Sequence, residues 1–313
     1  MDTPSLQIRG IVPVIPTPFD SGENIAWDEL RNLIDFASAA GVSAVCLPAY
    51  ASEFYKLSED ERSRLVIEAV ALAQGRVPVV AQVNYFSALQ AAQVAARMSA
   101  AGASGISVAV PRLFSLSERD LFRYFDRILR AIDVPLIIQD FNPGGPSLSP
   151  AFIRDLHKQH PHFRYVKLEE PMMAGKVEAI LEATDAEVGV LEGWGGMYMM
   201  QLVPAGICGV MPGLGVADIL SLTFRLLTEG KAEEAFDIFQ GVLPQIAFSL
   251  QNLELYHHAE KKLLQARGIL ASGIVRDAGM DLRASERDHI DFLNSRVLAL
   301  LDRLHMRRNP ARP

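Results

Sequence analysis

Along the first two-thirds of the chain, short apolar runs alternate with longer segments whose apolar residues recur every three or four positions. The apolar runs fall at 10–15, 42–48, 77–83, 105–111, 134–140, 165–169, 188–193 and 209–213, and each is short enough for a buried strand. Between them, 27–40, 59–73, 88–101, 118–131, 150–158, 174–183 and 197–204 carry the spacing of amphipathic helices. The joints recur: Ala40-Gly41, Ala101-Gly102 and Ala205-Gly206 each place a glycine where a helix ends before a strand. Strands this uniformly apolar, alternating with helices, predict a parallel sheet covered on both faces. Eight such units over about 210 residues suit a (β/α)8 TIM barrel better than an open sheet. No Gly-x-Gly-x-x-Gly follows any run and no P-loop pattern occurs, which weakens the doubly wound alternative. From Lys231 onward the pattern is helical only, at 231–242, 253–266 and 286–305. The expected organisation is an α/β barrel over 1–228 with a C-terminal helical extension, 229–313, packed on it.

Composition narrows the function classes. A chain of 313 residues, 50% of them apolar, can bury a large core, and its net charge of −7 argues against nucleic-acid binding. There is no 18-residue apolar span and no basic-then-apolar leader, so a cytoplasmic protein away from membranes is expected. The two cysteines, Cys46 and Cys208, sit in apolar runs and read as buried reduced thiols, not as a disulfide or metal pair.

Chemistry concentrates in the sixth run, Phe163-Arg164-Tyr165-Val166-Lys167-Leu168-Glu169-Glu170-Pro171. Strand alternation puts Tyr165, Lys167 and Glu169 on one face and Val166 and Leu168 on the other. A lysine buried in such a run is costly to keep charged, and the neutral amine that desolvation favours is a nucleophile for carbonyl carbon. The alternative is an edge-strand lysine snorkelling to water. In a barrel the chemistry belongs at the C-terminal strand ends. Those ends carry Tyr50, Ala51, Ser52 and Glu53, then Gln82, Arg112, Gln139 with Asp140, Lys167 with Glu169, Glu192-Gly193-Trp194, and Met211.

With these residues in view, and from Gly10-Ile11-Val12-Pro13-Val14-Ile15-Pro16-Thr17-Pro18-Phe19 to the last helices, the chain resembles the dihydrodipicolinate synthase and N-acetylneuraminate lyase superfamily. The resemblance implies a class I aldolase or dehydratase on a (β/α)8 barrel, assembled as a homo-oligomer, tetramer or dimer. It makes Lys167 the Schiff-base lysine, 28 residues beyond Gln139. The departures matter. Where the family shows Gly-Thr-Thr-Gly-Glu or Gly-Ser-Thr-Gly-Glu, this chain has Ala49-Tyr50-Ala51-Ser52-Glu53; its relay tyrosine is matched by Leu113, and its strand-five tyrosine by Gln139, which cannot titrate. The arginine that usually follows is missing. The pattern looks most like the branch containing 2-keto-3-deoxy-L-arabonate dehydratase, which also places glutamine-aspartate on strand five.

The implied activity is dehydration of a 2-keto-3-deoxy sugar acid through an imine, with no cofactor and no metal. Pyruvate-dependent aldol chemistry, synthase-like condensation included, and a non-catalytic keto-acid-binding barrel remain as alternatives. Lys167 is expected as nucleophile, and Glu169 or Tyr50 as general acid/base. Ala51 and Ser52 would offer N–H groups to the substrate carboxylate, and Gln139, Gly193 and Met211 would line the substrate. Glu53 and Asp140 read more readily as loop braces. His157, His160 and His162 precede the sixth run, at the stability face of a barrel, and read as a solvated loop, and His257 and His258 as packing in the C-terminal helices.

Overall fold

The computed structural model describes residues 6–112, 115–142, 147–170 and 173–311. Eight strands form one parallel sheet: β1 (Gly10–Ile11), β2 (Val45–Leu47), β3 (Val79–Gln82), β4 (Gly105–Ala109), β5 (Leu136–Phe141), β6 (Phe163–Glu169), β7 (Gly189–Glu192) and β8 (Gly209–Val210). Their order, β1-β8-β7-β6-β5-β4-β3-β2, steps once around a ring. The ring closes at Val14, which bridges in parallel to both Cys46 and Gly213. Ile15 N–H donates to Cys46 O at 3.0 Å and Val14 N–H to Pro212 O at 2.8 Å. The fold is the expected TIM barrel.

Alternation sorts the core into two layers. Inward residues such as Val12, Val14, Val80, Ile137, Tyr165 and Leu191 fill the barrel, while outward ones such as Val45, Ile106, Val108, Val166 and Val190 pack under the helices. Leu6 and Ile8 plug the floor, where the Tyr165 hydroxyl accepts from Ile8 N–H at 3.0 Å and donates to Leu6 O at 3.2 Å.

The helices between the strands are α1 (Trp27–Ala39), α2 (Glu59–Ala73), α3 (Ala88–Ala100), α4 (Glu118–Leu129), α5 (Pro150–Gln159), α6 (Met173–Ala183), α7 (Met199–Leu202) and α8 (Ala217–Thr228). Serines start several of them. The Ser58, Ser87, Ser117 and Ser149 hydroxyls each accept an N–H of the first turn, and Pro150 follows at the first helical position. Gly41, Gly102 and Gly206, the glycines expected at helix ends, all have positive φ. The seventh helix, expected over 197–204, is reduced to a single turn, because Gly195 and Gly196 enter it with left-handed backbone.

Four further helices follow: α9 (Ala232–Phe239), α10 (Leu243–Ser249), α11 (Leu253–Ala266) and α12 (Ala284–Arg303). Segment 231–242 was expected to be helical throughout, but α9 stops at Phe239, and α8 and α10 were not foreseen. Among the described residues, no helix is long and apolar enough to cross a membrane. The histidines before β6 are engaged locally: His160 Nε2 lies 2.8 Å from Asp126 Oδ1, His162 Nε2 2.9 Å from Leu129 O and His157 Nδ1 2.9 Å from Phe163 O.

Candidate active site

At the C-terminal mouth of the barrel lies a cavity of about 280 Å³, with Lys167 and Glu169 in its wall. Strand β6 delivers both, two residues apart on its inward face, next to Gln139 of β5, the register partner of Lys167. Lys167 Nζ is 2.7 Å from Glu169 Oε1, and each side chain is only 8% exposed. Glu169 therefore pairs with Lys167, whereas Arg164, at the N-terminal end of β6, pairs with Glu187 at 3.2 Å. A carboxylate at this distance can take the proton that an ammonium must lose before it attacks a carbonyl.

The same Glu169 oxygen is held by an amide as well. Gln139 Nε2 donates to Glu169 Oε1 at 2.9 Å, and Gln82 Nε2 donates to Gln139 Oε1 at 3.1 Å. The buried Cys46 thiol points at Gln82 Oε1 over 3.6 Å, and burial pushes its pKa up to about 12, so it stays a proton donor. A carboxylate only accepts, which obliges Gln139 to turn its NH2 towards Glu169 and its carbonyl towards Gln82. Where a titrating residue would conduct protons, Gln139 instead holds Glu169 in place.

Gly193 completes this positioning. A Cβ built there would overlap Glu169, 2.6 Å from Oε1 and 2.8 Å from Cδ and closer still to Cγ. Gly193→Ala is expected to push Glu169 off Lys167 and Gln139. It should lower turnover of whichever keto acid the enzyme uses by about 10²-fold, within the range of acid/base catalysis, while the thermal midpoint drops by only a few degrees. Full turnover in a folded Gly193→Ala chain would show that Glu169 is not needed in this position.

The β2–α2 loop forms the opposite wall as two 3-10 turns, Tyr50–Ser52 and Phe54–Lys56. The N–H groups of Tyr50 and Ala51 open the first turn and have no protein partner among the described residues, as expected for the leading donors of a helix. Ser52 corrects the expectation. Its N–H donates to Ala49 O at 2.9 Å, and its hydroxyl donates to Ile15 O at 2.6 Å while accepting from Ala49 N–H at 3.0 Å. It buttresses the loop away from the cavity, and the N–H groups left open in this turn are those of Tyr50 and Ala51. Glu53 is a brace, as read, but through charges more than backbone: Lys261 Nζ at 2.5 Å, Lys56 Nζ at 3.2 Å and the Arg276 N–H at 3.1 Å.

Tyr50 lines the cavity, but burial and the nearby Glu169 charge raise its pKa above the usual phenol value. It is held neutral, which suits a donor and not a base. Ala51, Gly193 and Met211 line the same cavity, and Trp194 closes it against Phe141, ring centroids 6.0 Å apart. Leu113, matched to the family's relay tyrosine, and positions 143–146 lie outside the described residues.

The remaining wall was not foreseen. Residues 250–253 and Tyr256, from the C-terminal extension, line the cavity, and burial holds the Tyr256 phenol well above its usual pKa. No local signal marks them, because only the chain's return path brings them over the mouth.

Glu192 ends β7 with its side chain under the following loop. It is fully buried and accepts from Gly196 N–H at 2.7 Å, and burial pushes its carboxyl up to about 7. Because the folded value lies above the unfolded one, the associated stability is complete below an ordinary glutamate pKa of 4.5 and is lost as pH rises through about 7. The unfolding free energy of Glu192→Gln, relative to the parent, is expected to climb by about 2 kcal/mol between about pH 5 and pH 8. Urea unfolding at both pH values measures it; parallel profiles would discard the burial account.

A parallel barrel with an amine, a carboxylate and free N–H donors at its mouth defines a lysine-centred site for carbonyl substrates. The chain belongs to the Dihydrodipicolinate synthetase family, whose sequence profile matches residues 7–293. It is 29% identical over 272 residues to an L-2-keto-3-deoxyarabonate dehydratase of Azospirillum brasilense, covering 84% of this chain and 86% of that relative. It is 26% identical over 239 residues to a 4-hydroxy-tetrahydrodipicolinate synthase of Escherichia coli O139:H28, covering 75% and 80% respectively. The crystal structure of a dihydrodipicolinate synthase from Rhodopseudomonas palustris superposes with a TM-score of 0.86 at 24% identity, covering 93% of this chain and 98% of that one, and so shares the fold.

Proposed function

We propose that this chain is a class I lyase that dehydrates a 2-keto-3-deoxy sugar acid through an imine on Lys167. The observation that carries the reading is the Lys167 amine 2.7 Å from the Glu169 carboxylate in a cavity at the barrel mouth. The dehydratase from Azospirillum brasilense among its relatives supports the substrate class. Lys167 Nζ adds to the C2 carbonyl, and loss of water gives a protonated imine that draws electrons from C3. Glu169 removes a C3 proton to leave an enamine. The enamine electron pair then expels the C4 hydroxyl, which takes a proton from Glu169 or the neutral Tyr50 and departs as water. Hydrolysis of the imine frees Lys167 and an unsaturated 2-keto acid. The substrate carboxylate rests on the Tyr50 and Ala51 N–H groups.

The same reading makes the protein a cytoplasmic homo-oligomer, which its family membership and its unbridged Cys46 and Cys208 support. Borohydride reduction with a panel of 2-keto acids should leave a single adduct, on Lys167. Product analysis should then show loss of water without carbon–carbon cleavage. An adduct on another lysine, or none, sinks the imine; an adduct without turnover leaves a binding protein. Condensation of pyruvate with aspartate semialdehyde at about 1 s⁻¹ or faster, an ordinary enzymatic rate, would assign the chain to synthase chemistry instead.

A further inference from the structure

Beside the Lys167 cavity lies a second one of about 410 Å³, and the two share Tyr50 and Phe141 as wall residues. Asn84 and Arg112 form part of its wall, and each carries a buried donor with no partner among the described residues: Asn84 Nδ2 and Arg112 Nε. The direction of the Asn84 amide is fixed, because its Oδ1 accepts from Gln82 Nε2 at 2.8 Å and from Ala109 N–H at 3.0 Å. Its NH2 is therefore left facing elsewhere. Arg112 Nη2 is held by Asp140 Oδ1 at 2.5 Å, which leaves Nε over. Two unpartnered buried donors in one wall are costly, and a ligand bearing acceptors relieves that cost.

The rest of the wall selects among acceptors. Asp140 is buried against Arg112 and offsets its charge, and among the described residues no other charged side chain lines the cavity. Tyr85, Phe86 and Phe141 contribute rings, with Phe86 65% exposed. Aromatic faces beside donors, with little net charge, fit the C–H and hydroxyl surface of a polyol better than an anionic arm.

We propose that the cavity bordered by Asn84 and Arg112 is a second compartment of the active site, which receives the hydroxylated far end of the sugar-acid chain. Its place in catalysis rests on the imine reading, since that fixes the near end at Lys167. The chain passes Tyr50 and Phe141, and small rotations of Asn84 and Arg112 give Nδ2 and Nε their acceptors. Specificity beyond the reacting carbons then resides in the loops after β3 and β4.

The test uses acids that cannot form an imine, so that it reads the compartment alone. Calorimetry compares a six-carbon 3-deoxy aldonic acid with 2-hydroxyhexanoate, which lacks the distal hydroxyls. The hydroxylated acid is expected to bind about tenfold more tightly to the parent chain, the effect of one or two hydrogen bonds. That advantage should fall below about threefold in the double variant Arg112→Gln/Asp140→Asn, which removes both charges together. It should fall likewise in Ala109→Leu, which narrows the cavity from its β4 wall. Equal or undetectable binding of the two acids to the parent chain overturns the compartment, as does an advantage that persists in whichever variants fold. Tighter binding of 2-hydroxyadipate than of the hydroxylated acid overturns the polyol assignment. Borohydride trapping with 2-keto acids, run alongside, tests the imine separately: its failure with the advantage intact removes the imine reading and leaves the compartment standing.

Discussion

Lys167→Met is expected to lose turnover of every 2-keto acid substrate by about 10⁴-fold or more, because among the described residues no second lysine lines the cavity to form the imine. Methionine keeps most of the volume inside the barrel and removes the amine. Glu169 keeps its hydrogen bond from Gln139 at 2.9 Å but loses the cation 2.7 Å away. Removing one partner of a buried pair costs about 3–5 kcal/mol where the other stays charged, so a lower thermal midpoint should accompany the lost activity. The two effects separate on adding Glu169→Gln to Lys167→Met: stability should recover while activity stays absent. Borohydride with the trapped keto acid should give no adduct in either variant. Turnover above about a hundredth of the parent rate in Lys167→Met would remove covalent catalysis at this residue.

The second large effect falls on Glu169. Glu169→Gln keeps the shape and the contact with Gln139 but cannot take a proton from C3 or return one to the leaving hydroxyl. A loss of about 10²–10⁴-fold in kcat is expected, the usual range for a positioned acid/base. Imine formation with pyruvate, which has no hydroxyl to expel, should still be detectable by borohydride. Gln139→Ala should cost less, since it frees Glu169 without removing it, and Tyr50→Phe should act mainly on departure of the hydroxyl. If Glu169→Gln and Tyr50→Phe both keep parental turnover while Gln139→Ala loses a hundredfold, the assignment is wrong, and a water held by Gln139 carries the proton.

The barrel was legible because its strands are apolar on both faces and its helices are not, so each period announces itself locally. Lys167 and Glu169 were legible for a related reason: in a run where every neighbour is apolar, two charges of opposite sign at i and i+2 must face one another's surroundings. Ser52 misled because strand-end position gives proximity but not the direction of an N–H. The 3-10 turn at Tyr50–Ser52 turns that N–H onto Ala49, and the donors that remain belong to Tyr50 and Ala51. Tyr256 and residues 250–253 lie more than 80 residues beyond Lys167 in the chain, and no periodicity relates them to it. The unpartnered amide of Asn84 is likewise invisible in sequence, since it exists only because Gln82 and Ala109 occupy the carbonyl.

The row of amides behind Glu169 has a consequence for how the site meets solvent. Each glutamine donates on one side and accepts on the other, so the row has a sense of direction, and an amide polarises its neighbours but does not hand a proton along. The Cys46 thiol at its far end stays protonated. The amide side of the Lys167–Glu169 pair is thus an insulator. On the proposed reading, protons reach Glu169 from the mouth, past Tyr50 and the C-terminal wall, and a substrate seated there closes that route while it reacts. What Glu169 lifts from C3 then has few destinations other than the oxygen that is about to leave.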